Sequence, residues 1–183
     1  MAGKDNLILT AVGPDRIGLV EQISEFIAAR ECNIEDSTMA VFAGEFALIV
    51  LISAEAPALQ RIARDHQGLA DQTGLTVWVK TPSAKKPLDA SLPYRLTASC
   101  MDHPGVVYRL SHALSKLGIN MESMETKTYA APVSGTPIFR LEALISVPAT
   151  LNVNALRSRF DEIQREENID IELALVSDHS KTI

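Results

Sequence analysis

Apolar residues follow two alternating rhythms along this chain. From Leu7 to Val12 they run together with β-branched neighbours, which predicts a strand closing at Gly13-Pro14-Asp15. Leu19, Val20, Ile23, Phe26 and Ile27 then recur at the spacing of one helix face. Strands are predicted over 34–42 and 46–53, joined by Ala43-Gly44 as a hairpin turn. A second helix begins after Pro57 with Leu59, Ile62, Ala63 and His66 on its apolar face, and a last strand covers 75–81.

The same order returns in the second half. At an offset of 87 positions Leu9-Thr10-Ala11 falls on Leu96-Thr97-Ala98, Asp15 on Asp102, Gly18 on Gly105, Asn33 on Asn120 and Glu35 on Glu122. Farther on the offset is 93, pairing Phe46 with Phe139 and Ile52-Ser53 with Ile145-Ser146. The second copy therefore carries extra residues within 130–137, whose Pro, Gly, Ser and Thr mark a loop. An extended hairpin is the plain expectation for Pro132 to Pro137. The sharper one is contact with a partner or closure of a ligand pocket of the other copy.

Strands over 94–99, 121–129, 138–147 and 169–176 complete the second copy. Its helices place Val106, Val107, Leu110, Ala113, Leu114 and Leu117 on one face, with Gly118 as the stop, and Val153, Leu156, Phe160 and Ile163 on another. The prediction is an α+β fold of two tandem ferredoxin-like βαββαβ units, 1–81 and 94–183, joined by a proline-marked polar linker over 82–93. Each unit exposes a sheet face and an edge strand that need cover, so packing of the units on each other or on a second chain, as a homo-oligomer, is expected.

A length of 183 residues suits two small domains, and 46% hydrophobic with 22% charged residues is a globular composition. The net charge of −6 divides into −5 over 1–81, +1 over the linker and −2 over 94–183. Neither half offers the basic field that phosphate neutralisation requires, so no direct nucleic-acid contact is expected and a gene regulator of this kind would act through a partner. Cys32 and Cys100 stand far apart without a CxxC pair, which predicts reduced thiols. The start, Met1 to Asn6, has no signal-like apolar stretch and the apolar run Phe46 to Ile52 is too short to span a bilayer, so a cytoplasmic protein without membrane contact is expected.

Among chemistry-bearing residues, the strand-to-helix turns stand out. A helix start offers about four unpaired N–H groups and a partial positive charge, which suit a carboxylate. Asp15 and Asp102 are placed to meet a ligand's ammonium or to cap their helices, while Gly18 lets a ligand come close. Asn33 and Asn120, read by themselves, are turn or strand-edge asparagines that satisfy their own backbone. Cys100, Asp102 and His103 are the residue types of a nucleophilic site, but neighbours in one turn do not aim at one atom. His66, His103, His112 and His179 lack HxxxH or HxH spacing, and no GxSxG, Walker A or GxGxxG occurs, so neither a metal, a cofactor nor enzymatic activity is expected. His66 reads as a half-buried packing residue.

The motif Asp15-Arg-Ile-Gly18 with Cys32-Asn-Ile34, repeated as Asp102-His-Pro-Gly105 with Gly118-Ile-Asn-Met121, resembles the ACT domain, and the two copies cover nearly the whole chain. Within that superfamily the chain resembles the glycine cleavage system transcriptional repressor family, most of all in Thr126-Lys-Thr-Tyr129 followed by Ser134 to Phe139. Pro14 to Val20 is also similar to the regulatory ACT segment of formyltetrahydrofolate deformylases. The resemblance implies binding of a small amino acid, glycine favoured, and modulation of a partner DNA-binding transcriptional activator. The alternative it leaves open is direct regulation of a metabolic enzyme. It implies ligand contacts at Gly13, Asp15, Arg16, Ile17, Gly18 and Asn33 in the first copy, and at Asp102, His103, Pro104, Gly105 and Asn120 in the second. Some family members carry a histidine two residues before the Asp15 and Asp102 positions. Here Gly13 and Cys100 stand there, which at the first copy implies open room.

Overall fold

The computed structural model describes residues 5–83 and 90–176, so residues 84–89 of the expected linker, and His179, lie outside the described residues. The chain divides into two compact units, Met1–Lys85 and Lys86–Ile183. The first contains β1 (Asp5–Pro14), α1 (Leu19–Ala28), β2 (Asn33–Phe42), β3 (Glu45–Ala54), α2 (Ala56–Thr73) and β4 (Thr76–Lys80). The second contains β5 (Ser91–Met101), α3 (Val106–Lys116), β6 (Asn120–Ala130), β7 (Pro137–Pro148), α4 (Val153–Glu167) and β8 (Asp170–Leu175). Both are βαββαβ, with sheet orders β2-β3-β1-β4 and β6-β7-β5-β8 and every neighbouring pair antiparallel.

The periodicities explain the layers. On α1, Leu19, Ile23 and Ile27 are buried at four-residue steps against Leu9, Phe46, Val50 and Ile52 from alternate positions of β1 and β3. Val20, expected on that face, is half exposed. On α2 the buried face is Ala58, Leu59, Ile62, Leu69 and Thr73; Ala63 is exposed, and half-buried His66 brings Nδ1 to 2.7 Å from the Ala63 carbonyl. In the second unit α3 buries Val106, Leu110, Ala113 and Leu114, and α4 buries Leu156, Phe160 and Ile163, over Leu96, Leu141 and Ile145.

One expectation needs correction. The linker does not reach Pro93, because β5 begins at Ser91 and Pro93 pairs with Ser146. On the β8 side the paired register begins at Tyr94 and the Val176 amide donates to the Pro93 carbonyl at 3.0 Å, so the missing N–H falls at the end of that ladder and costs little. The Ala43-Gly44 hairpin does form, with φ of 51° and 85° at its two central residues.

The solvent faces of the two sheets differ. In the first, Thr10 lies between Ile49 and Trp78 on neighbouring strands, both about half exposed. In the second, the same positions hold Thr97 between Glu142 and Glu172.

Candidate functional site

Each strand-to-helix turn is tied to the neighbouring hairpin through the backbone. The Asp15 amide donates to the Gly44 carbonyl at 2.8 Å and the Asp102 amide to the Pro137 carbonyl at 2.9 Å. The second unit's longer hairpin therefore starts beside the Asp102 turn. Neither aspartate caps its helix, contrary to one of the two roles expected for it. The N-cap positions are Gly18 and Gly105, with φ of 90° and 98°, and no side chain makes a cap bond. The left-handed glycine delays the helix by three residues, leaving Asp15 and Asp102 exposed one turn short of the cap.

Other residues of these turns serve as lashings. Arg16 Nη2 donates to Gln22 Oε1 at 2.8 Å and to the Thr73 carbonyl at the end of α2 at 3.3 Å. At the equivalent place in the second unit, His103 Nδ1 accepts from Arg109 Nη2 at 3.0 Å, and Arg109 Nε lies 2.7 Å from Glu167 Oε2 at the end of α4. Ile17 is fully exposed and Pro104 is exposed, its carbonyl 3.3 Å from Arg109 Nη2.

The room expected beside Gly13 is filled: a Cβ there would stand 2.9 Å from Leu75 Cδ2 and 3.3 Å from Leu75 Cα, so no histidine fits. Cys100 faces the core, and burial pushes its thiol up, with Asp102 adding to the rise and Arg109 opposing it. His103 turns to Arg109 instead, so Cys100, Asp102 and His103 do not converge.

Asn33 and Asn120 open β2 and β6, and their side chains do not bond their own backbone. Each donates to a glutamate two residues on: Asn33 Nδ2 to Glu35 Oε1 at 3.0 Å, and Asn120 Nδ2 to Glu122 Oε1 at 2.7 Å. Register shifts between Ile34 and Asp36, and between Met121 and Ser123, make those glutamates the bulged residues. The bulge turns each carboxylate toward a serine on the next strand, Ser53 in one unit and Ser146, at 2.9 Å, in the other. These glutamates and serines are not among the residues singled out from the sequence, although both pairs are identities of the internal repeat.

The sheet register separates the two kinds of candidate. Asn33 pairs with Ser53, whereas Pro14, next to Asp15, pairs with Glu45. Eight residues of β3 at ~3.3 Å each place the Asp15 turn and Asn33 about 26 Å apart, at opposite ends of their own sheet.

Asn33 lines a cleft of about 470 Å³ between the α1–β2 turn, the end of β3 and the start of α2, with Glu31, Cys32, Ser53, Glu55 and Arg61. Arg61 Nη2 donates to the Arg30 carbonyl and to Glu31 Oε2, both at 3.1 Å. Burial pushes the half-buried Cys32 thiol up, while the Arg61 and Arg30 guanidiniums pull against it. A second groove, about 590 Å³, runs between α1 and α2. Arg30 spans it, stacking on Phe26 at 3.7 Å and pairing with Asp65 at 3.3 Å. A hydrogen bond from Arg64, with the Arg64 and Arg30 charges, holds the Asp65 carboxyl below its usual range. Among the described residues no cluster of three His, Cys, Asp or Glu side chains is arranged to hold a metal, and no helix is long and apolar enough to cross a membrane.

The ACT domain family model matches residues 5–80. The glycine cleavage system transcriptional repressor of Escherichia coli (strain K12) is 24% identical over 170 residues, covering 92% of this chain and 88% of that protein. A crystal structure of an unknown protein from Galdieria sulphuraria superposes with a TM-score of 0.80 at 27% identity, over 95% of this chain and 99% of that one. A crystal structure of a candidate glycine cleavage system transcriptional repressor shares the fold with a TM-score of 0.70 at 23% identity, over 96% and 99% of the two chains. The first unit thus matches the ACT domain family model, the second repeats its strand order, and the chain as a whole is similar to the glycine cleavage system transcriptional repressor.

Proposed function

We propose that this protein is a non-enzymatic, amino-acid-responsive regulator that acts on transcription through a partner DNA-binding activator, with glycine as the favoured ligand. The observation that carries this reading is the match through both units to the Escherichia coli repressor, 92% of this chain on 88% of that protein. The net charge of −6 supports action through a partner rather than on DNA. The exposed edge strands β2 and β6 support assembly of copies. A ligand works such a device only by binding two arrangements unequally.

Thermal unfolding of the full chain against a panel of free amino acids tests the reading. Ligand at ~100 times its dissociation constant stabilises by about 2.7 kcal/mol, a rise of roughly 5 to 11 °C if both units unfold together. Affinity capture with and without glycine then identifies the partner. A DNA-binding activator held in a glycine-dependent manner is the expected outcome; a metabolic enzyme in its place, or no response to any amino acid, overturns the reading.

A further inference from the structure

We propose that the cleft beside the α1–β2 turn of the first unit is the amino-acid site, with the Arg61 guanidinium receiving the ligand's α-carboxylate. The proposal rests on the amino-acid-responsive reading above and gives it an address. An arginine stays charged and presents a planar fork of donors that matches a carboxylate. Arg61 is held in place by its bond to the Arg30 carbonyl, and its side chain is 39% exposed.

A carboxylate already sits on that fork. Glu31 Oε2 lies 3.1 Å from Arg61 Nη2, yet the Glu31 side chain is 86% exposed. An ion pair that open to water contributes little, so a ligand carboxylate displaces it at small cost. Glu31 also keeps a strained backbone, φ 59°, where the second unit has Gly118 at φ 68°. Strain retained where glycine would relieve it is a mark of a residue held for its side chain. Glu55, on the same cleft, makes no cap bond to α2 and supplies the negative charge for the ligand's ammonium. A cleft of about 470 Å³ holds a small amino acid.

The second unit lacks these groups. Gly74 and Asn168 are the left-handed ends of α2 and α4, and Ile62 with Leu69 match buried Leu156 with Ile163 at the same offset of 94. That offset puts Ala155 at the Arg61 position, and the offset of 87 puts Gly118 and Ile119 at Glu31 and Cys32. The site therefore occurs once among the described residues.

Titration calorimetry of the full chain with glycine, L-alanine and L-serine tests this. Wild type binds one of them at one site per chain, Arg61→Gln weakens that binding at least tenfold, and Glu31→Gln strengthens it severalfold. Wild-type affinity in Arg61→Gln overturns the site while leaving the amino-acid-responsive reading intact. No binding to wild type fails both. Should Arg61→Gln not fold, alkylation of Cys32 in the wild type is decisive, with buried Cys100 as internal reference. Saturating amino acid slows Cys32 modification at least severalfold if the site is there, and an unchanged rate overturns it.

Discussion

Glu31 and Gly118 occupy one place in the two units, the residue that closes the first helix, and both hold a left-handed backbone, at φ 59° and 68°. In the second unit the turn is tight: the Ile119 amide donates to the Leu114 carbonyl at 3.0 Å and the Gly118 amide to the Ser115 carbonyl at 3.1 Å. The first unit repeats the geometry with the Cys32 amide on the Ile27 carbonyl at 3.3 Å, but with a side chain where glycine is free of cost.

Glu31→Gly therefore stabilises the chain. Relief of about 1 kcal/mol of backbone strain exceeds the loss of an exposed ion pair, and the unfolding midpoint rises by a few degrees. Gly118→Ala moves it the other way by a similar amount. Urea or thermal unfolding reads both, and a lower midpoint for Glu31→Gly removes the strain from Glu31.

Gly13→Ala destabilises the first unit by about 1 to 3 kcal/mol, because its Cβ meets Leu75 at 2.9 Å and nothing there is free to give. Leu75→Ala alone costs about 2 to 5 kcal/mol, because Leu75 is in the core, and on that background Gly13→Ala costs less but not nothing, since the Leu75 backbone is itself 3.3 Å away. No cost of Gly13→Ala on the Leu75→Ala background means that the Leu75 side chain alone sets the fit.

The two Asn–Glu–Ser clusters are unequal in burial. Ser53 is 4% exposed and Ser146 is half-buried. Ser53→Ala costs about 1 to 2 kcal/mol through a lost bond to a carboxylate, and Ser146→Ala costs less because water replaces the hydroxyl. Chemical denaturation of the two variants checks the order, which a larger loss at Ser146 contradicts.

Both thiols titrate later in the folded chain than in the unfolded one, Cys32 and Cys100 each raised chiefly by burial. A raised thiol favours the fold while the unfolded thiol is still protonated, so stability from this source holds below about pH 8.5 and declines as pH rises through the folded values. Alkylation at pH 7 is slow at both residues, quickens above pH 9, and runs faster at Cys32 than at buried Cys100. Cys100 reacting first at pH 7 contradicts its burial.

Much of the fold was legible because the internal repeat doubles each signal. The strand over 34–42 is long and nearly all exposed, yet its counterpart over 121–129 fixes it. Capping was one of two roles open to Asp15 because it has the chemistry of a cap, whereas the backbone's need for a left-handed residue at Gly18 has no hydrophobic period to announce it. The bulges at Glu35 and Glu122 stood in the sequence as repeated identities, but a bulge leaves no mark on alternation until the partner strand is known. Arg61 was hidden for the opposite reason: with Ala155 at the matching place, the repeat carried no trace of it.

The arginines that lash each turn to its second helix have changed anchor without changing destination. Arg16 and Gln22 in one unit stand where His103 and Arg109 stand in the other, and both cations finish at the last residue of the second helix, Thr73 or Glu167. What the two halves share is an endpoint in space rather than a letter in the sequence. A path from one arrangement to the other passes through a chain with two guanidiniums crowding one spot or with none reaching it, and either intermediate is worse than both ends. Duplicated halves that settle this way no longer exchange residues singly, and each is committed to its own solution.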